Sequence, residues 1–238
     1  MSNKYKRYRK DSKFSYSLGV FATLELLKVC PENVVCIIIR SGSDKNEGVT
    51  KIIERCNKFS LPVKKDDRVI GHLSPRGDCY AIGVFHKIES KLNNNEHHLV
   101  LISPGDRGNL GAILRSMVGF SITNLALVRP AVDIWHPQVV RASMGAVFFV
   151  NFQYFNQFED YCYAFDRPIF AFSPNARKGL KHLDIKQPSA FVFGNEGAGL
   201  STSVLDRGTS VRVEHQPEID SLNLAVSIGI VLYEITQI

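Results

Sequence analysis

Phe191-Val-Phe-Gly-Asn-Glu-Gly-Ala-Gly-Leu-Ser201 runs an apolar strand straight into a loop with glycines at 194, 197 and 199. Glycines at such a turn let backbone approach a ligand closely or take up positive φ. Glu196 stands among them, beyond the C-terminal end of the strand, where parallel α/β sheets bind their ligands. Read alone, the stretch is equally an ordinary strand-to-helix turn with an exposed glutamate. The flanking sequence gives it a setting. Strand-like apolar runs occur at His98–Ile102, Leu125–Val128, Ile169–Phe172, Phe191–Phe193 and Val211–Val213. Helical periodicity falls at Leu110–Val118, Val139–Gly145, Gln157–Tyr163 and Leu222–Ile235. Strands alternating with helices predict an α/β fold with a parallel sheet covered on both faces.

Two further segments carry polar residues where a ligand site belongs. Ser103-Pro-Gly-Asp-Arg-Gly-Asn-Leu-Gly-Ala-Ile-Leu-Arg-Ser-Met117 turns from a strand into a helix that starts near Asn109. Leu110, Ile113, Leu114, Met117 and Val118 form one apolar face, and Arg115 lies off it. Asn109 reads as a helix cap and Arg115 as a surface residue, or both belong to a site. Gly105, Gly108 and Gly111 do not follow dinucleotide or P-loop spacing. The other segment is Pro217-Glu-Ile-Asp-Ser-Leu-Asn-Leu-Ala-Val-Ser227, which leads into Ile228–Ile235. From Leu222 onward this helix is apolar almost all round, so it is expected to be buried. Ser221 reads as a cap, but Asn223 inside such a helix has to find polar partners.

The 238 residues suffice for one large or two small domains. Residues 1–95 hold 18 Lys/Arg against 10 Asp/Glu, whereas residues 96–238 hold 11 against 13. A basic half joined to a slightly acidic one points to a polyanion as partner of the first half. Residues 1–13 read as a flexible basic arm, with Lys4, Lys6, Arg7, Arg9, Lys10 and Lys13 around Tyr5 and Tyr8. A small α/β unit follows, with helices at Leu18–Val29 and Val49–Phe59 and strands at Val34–Ile39 and Tyr80–Phe85. The polar stretch Lys91–His98 reads as a domain linker. The five cysteines include no C-x-x-C pair and are expected as buried free thiols, with no zinc site and no disulfide framework. No apolar run is long enough to span a bilayer and the basic N-terminus lacks a signal-peptide core, so a cytoplasmic protein is expected.

Together the three segments resemble, in order and spacing, the signature motifs of the SpoU/TrmH family of RNA 2′-O-ribose methyltransferases in the SPOUT superfamily. Arg141-Ala-Ser-Met-Gly145 is similar to an intervening segment of that family. Residues 1–90 resemble its N-terminal domain, which is similar to kink-turn-binding ribosomal proteins. The pattern departs in having Arg107-Gly108 before Asn109 and Ser121 after Phe120. The resemblance implies residues 14–92 as an RNA substrate-binding domain. It implies residues 96–238 as a methyltransferase domain whose chain threads a deep trefoil knot. It implies S-adenosylmethionine as cofactor, rRNA or tRNA as partner, a homodimer with the active site at its interface, and no metal. Carried over, the catalytic set is Arg115, Asn109, Glu196, Ser221 and Asn223. The cofactor-binding set is Ala171, Phe172, Ser173, Gly194, Asn195, Gly199, Val213 and Leu222. A guanidinium stays protonated, so Arg115 is expected to clamp phosphate and stabilise developing alkoxide charge rather than act as a base. Glu196 is expected to orient Arg115 or the interface, and Asn223 to hold the knot loops and substrate. The alternatives are an inactive RNA-binding protein of the same fold, and a dinucleotide enzyme, which the missing G-x-G-x-x-G speaks against.

Overall fold

The computed structural model of the chain describes residues 5–75, 77–185 and 187–236. In chain order its elements are β1 (Phe14–Leu18), α1 (Val20–Val29), β2 (Val34–Ile39), α2 (Glu47–Lys58), β3 (Val63–Lys65), α3 (Asp67–Leu73), β4 (Ala81–His86), β5 (His98–Ile102), α4 (Arg107–Gly119), β6 (Asn124–Val128) and α5 (Pro137–Ala142). Then follow β7 (Asn151–Phe155), α6 (Phe158–Ala164), β8 (Ile169–Phe172), β9 (Lys178–Gly179), β10 (Ala190–Phe193), α7 (Thr202–Leu205), β11 (Thr209–Arg212) and α8 (Leu224–Ile235). They sort into two units, Met1–Ile88 with Asp133–Phe149, and Glu89–Val132 with Val150–Ile238.

The first unit has a four-stranded sheet in the order β1-β4-β2-β3, antiparallel except for the β2–β3 pair. β2 reads Val-Val-Cys-Ile-Ile-Ile and is buried along nearly all its length, as a central strand must be. The helix expected at Leu18 begins at Val20, because Phe14–Leu18 is spent on β1, whose alternation of Ser with Phe, Tyr and Leu is a strand period. The segment Asp133–Phe149 comes from the C-terminal half of the sequence, yet its Trp135 and Phe148 pack edge-on against Phe85, with ring centroids 5.5 and 5.3 Å away. Residues 5–13, expected as a free arm, also lie on this unit. Tyr8 donates to Asp133, and Tyr16 donates to the Lys6 carbonyl at 2.7 Å. The tyrosine rings supply the apolar surface that the surrounding lysines and arginines lack. The arm before Tyr5 lies outside the described residues.

The second unit carries a seven-stranded sheet in the order β7-β6-β5-β10-β8-β11-β9, with every neighbouring pair parallel. Its central strands are continuous apolar runs, as burial on both faces demands. The stretch expected as a linker is built into this unit. Leu92 joins its core, and the Asn93 amide donates to Asn124 Oδ1 at 2.8 Å. His98 is fully buried at the head of β5. Its Nε2 lies 2.9 Å from the Asn93 carbonyl, which can only accept, so Nδ1 accepts from the Tyr161 hydroxyl at 3.0 Å. Burial pushes the His98 pKa down to about 4, which keeps this network neutral. Four of the five cysteines are buried and all are free; burial pushes Cys30 and Cys56 up to about 11.

One expectation about the core is overturned. α8 is not buried all round: Val226 is 51% exposed, Ile230 39% and Tyr233 57%. These residues stand at i, i+4 and i+7, so they form one continuous outer face. Ile228, Val231 and Leu232 are buried on the other side, which packs on α4. Among the described residues no helix is long and apolar enough to cross a membrane.

Candidate active site

β5, β8, β10 and β11 all end at the same edge of the second unit's sheet, and there the loops after β8, β10 and β11, with Asn109 of α4 and the start of α8, line a cavity of about 450 Å³. Phe172 and Phe193, the last residues of neighbouring strands, stack face to face at its floor with centroids 4.5 Å apart.

The glycine loop is shaped by close contact. A Cβ at Gly194 would sit 2.1 Å from the Gly199 carbonyl oxygen and 2.7 Å from the Leu200 nitrogen, so only glycine fits. Gly199 has φ of +66° and closes the turn by donating to the Asn195 carbonyl at 2.9 Å. The Asn195 side chain braces it. Oδ1 accepts from Gly197 and Ala198 amides at 2.9 and 3.2 Å, and Nδ2 donates to the Ser103 carbonyl at 2.9 Å.

One hydrogen-bonded chain joins all three polar segments. Asn223 Oδ1 caps α8 by accepting from the Ala225 and Val226 amides at 2.9 and 3.3 Å. Backbone amides only donate, so the cap fixes which way the Asn223 carboxamide points. Its Nδ2 is then turned to donate to Asn109 Oδ1 at 3.1 Å. That leaves Asn109 Nδ2 to donate to Glu196 Oε1 at 3.1 Å. The other carboxylate oxygen faces the Gly105 amide at 3.4 Å and Asn195 Nδ2 at 3.3 Å. Glu196 therefore collects donors on both oxygens and is the acceptor at the end of the chain.

The structure brings most of the sequence-derived residues together. Asn109, Glu196, Ser221 and Asn223 line the cavity, as do Phe172, Ser173, Gly194, Asn195, Gly199, Val213 and Leu222. Ala171 is fully buried one residue behind the lining. Arg115 is not in the lining. It is exposed on α4, six residues and therefore about 240° around the helix from Asn109. Within this chain Glu196 accepts from Asn109, not from Arg115, the first of the two partners expected for it. The cap of α4 is Asp106, which accepts from the Asn109 amide at 2.7 Å and frees the Asn109 side chain for the chain of bonds. Likewise Asn223, not Ser221, caps α8. Pro174, His215 and Ser227 line the cavity without having been read from sequence. They sit in loop or helix positions set only by where strands end.

The donors and acceptors here suit an uncharged or cationic ligand. The lining holds one carboxylate, several amides and hydroxyls, and no lysine or arginine among the described residues. The α8 amides that could bind a phosphate are already occupied by Asn223. A parallel α/β domain with such a pocket at its strand ends has the layout of a ligand-binding domain. The SpoU rRNA Methylase family model matches residues 96–233, and the chain belongs to that family.

Among relatives, an uncharacterized tRNA/rRNA methyltransferase of Synechocystis sp. is 34% identical over 140 residues, covering 57% of this chain and 51% of that one. The chain thus spans about half the length of this relative. The tRNA (cytidine/uridine-2′-O-)-methyltransferase TrmJ of Citrobacter koseri is 28% identical over 151 residues, covering 58% of this chain and 62% of that one. Solved structures share the fold across both units. An RNA 2′-O ribose methyltransferase superposes with a TM-score of 0.80 at 24% identity, covering 95% of this chain and 89% of that one. The SpoU methyltransferase AviRb of Streptomyces viridochromogenes, solved with AdoMet, gives 0.80 at 17% identity, covering 94% and 90%.

Proposed function

We propose that the chain is a cytoplasmic, homodimeric enzyme that methylates a ribose 2′-hydroxyl of tRNA or rRNA with S-adenosylmethionine. The observation that carries the reading is the cavity, lined by no lysine or arginine among the described residues, whose three loops are tied by the Asn223–Asn109–Glu196 chain. When bound, the cofactor supplies an electrophilic methyl group carried on a positively charged sulfur. The tight backbone at Gly194 and Gly199 and the Phe172–Phe193 stack offer close, largely apolar contact of the kind a nucleoside needs. The carboxylate of Glu196 complements a cation and would repel a dinucleotide's phosphates. The reading includes a deep trefoil knot in the C-terminal segment, consistent with β10 lying between β5 and β8 in the sheet. The first unit serves as the RNA-binding domain, supported by its 18 Lys/Arg against 10 Asp/Glu.

The dimer is supported by the outer face of α8, where Val226, Ile230 and Tyr233 expose apolar surface that a partner would cover. Gly229 of α8 lies near Ser116, whose Oγ is 3.7 Å from the position of a Cβ there, and the exposed Arg115 is the chain neighbour of Ser116. From this place Arg115 serves the partner's pocket, where it clamps RNA phosphate and stabilises charge developing on the ribose oxygen. Light scattering should give twice the chain mass at micromolar protein, and Ile230→Glu should give monomers that bind cofactor but lack activity. A fully active wild-type monomer contradicts the dimeric site. Calorimetry tests the cofactor: S-adenosylmethionine or its demethylated product should bind and NAD should not. The reverse preference overturns the reading.

A further inference from the structure

At one end of the first unit's sheet, three large apolar side chains face solvent. Phe21 is 68% exposed, Tyr80 42% and Met144 39%. The backbone gathers them. Gly19 donates to the Ala81 carbonyl at 2.9 Å, which sets the start of α1 beside Tyr80. Gly145 packs so closely on α1 that a Cβ there would be 2.7 Å from the Glu25 Cβ and 3.3 Å from the Ala22 Cα; Met144 and Phe21 are the chain neighbours of Gly145 and Ala22. Arg40 completes the group: its amide donates to the Tyr80 carbonyl at 2.9 Å, and its guanidinium carbon lies 5.9 Å from the Tyr80 ring centroid.

Two features of this group cost the fold stability. Met144 has φ of 52° at the end of α5, where Gly145 donates to Val140 and Met144 to Arg141. That is the helix-ending position glycine normally takes, because a side chain there crowds the backbone. Arg40 Nε is buried with no hydrogen-bond partner among the described residues, although such donors are nearly always paired. Packing alone explains neither, since Met144 remains exposed.

We propose that Phe21, Tyr80, Arg40 and Met144 form a platform on which unpaired bases of the RNA stack. The inference rests on the reading of the first unit as the RNA-binding part and names the element of RNA it takes. Aromatic rings beside a guanidinium accept any base by its π-face, and the unit's excess of eight positive charges draws the backbone. Paired bases are shut inside a duplex, so the platform selects single strands, loops or bulges. It recruits Met144 from Asp133–Phe149, a segment that sequence order alone would assign to the other unit.

The test is fluorescence anisotropy on the full chain with a labelled single-stranded RNA and with the same RNA annealed to its complement. Tyr80→Ala and Phe21→Ser should each weaken single-strand binding by about tenfold or more, as the loss of a stacked base does. Duplex binding should change little. Met144→Gly should also weaken single-strand binding while its thermal midpoint holds or rises, because glycine suits the backbone there. Variants with wild-type affinity, or with equal losses for single strand and duplex, overturn the platform. So does a loss of self-association with RNA affinity intact, which would mark the face as a protein interface. Calorimetry with S-adenosylmethionine on the same proteins keeps this result separate from the methyltransferase reading.

Discussion

Gly194→Ala should lower affinity for S-adenosylmethionine by about ten- to a hundredfold, the factor that corresponds to the roughly 1–3 kcal/mol that a forced backbone shift costs. The new methyl would meet the Gly199 carbonyl and the Leu200 nitrogen at 2.1 and 2.7 Å. Both are backbone atoms, so no side chain can swing aside, and the 195–199 turn must open. Gly197→Ala is the matched control. A Cβ there meets only Asn195 Oδ1, at an ordinary 3.5 Å, and should cost little. Calorimetry on the two variants checks this, and equal losses would show that loop glycines matter only as a class.

Arg115→Ala should lower turnover by about a hundred- to a thousandfold while cofactor affinity stays near wild type, as for a donor that acts only in the transition state. Arg115→Lys should also fail, because an ammonium lacks the planar fork. Single-turnover methylation separates the two quantities. The position of Arg115 away from its own cavity adds a sharper test. Mixing Arg115→Ala with Gly194→Ala subunits should restore about one quarter of wild-type activity, since half of a random mixture is heterodimer with one intact site. If each arginine serves its own chain, the mixture stays inactive.

Much of the second unit was legible in the sequence. β5, β6, β8 and β10 are unbroken apolar runs, and burial on both faces of a parallel sheet writes that signal plainly. β7 was not, because Asn151-Phe-Gln-Tyr-Phe155 lies at the sheet edge and mixes polar with aromatic residues. α8 misled in the opposite direction: an all-round apolar helix reads as buried, although part of its surface faces out of the single chain. The site residues were named from motifs, but their connections were not. Asn109 is a residue type that caps helices, but in the folded chain Asp106 does the capping and releases Asn109 to join Asn223 and Glu196. His215 follows β11 with no local pattern around it, so its place at the cavity depends on tertiary structure alone. The return of Asp133–Phe149 to the first unit is likewise a long-range packing outcome, decided by Trp135 and Phe148 against Phe85.

In the proposed reaction the methyl group reaches a ribose oxygen of RNA. The direct measurement incubates the full chain with methyl-labelled S-adenosylmethionine and total tRNA and rRNA from cells lacking the gene. The RNA is then digested to nucleosides and resolved by mass spectrometry. Label should be confined to 2′-O-methylated nucleosides and fall by about a hundredfold or more with Arg115→Ala. Label on a base, or no label in any RNA from protein that binds the cofactor and is dimeric, would contradict that reaction.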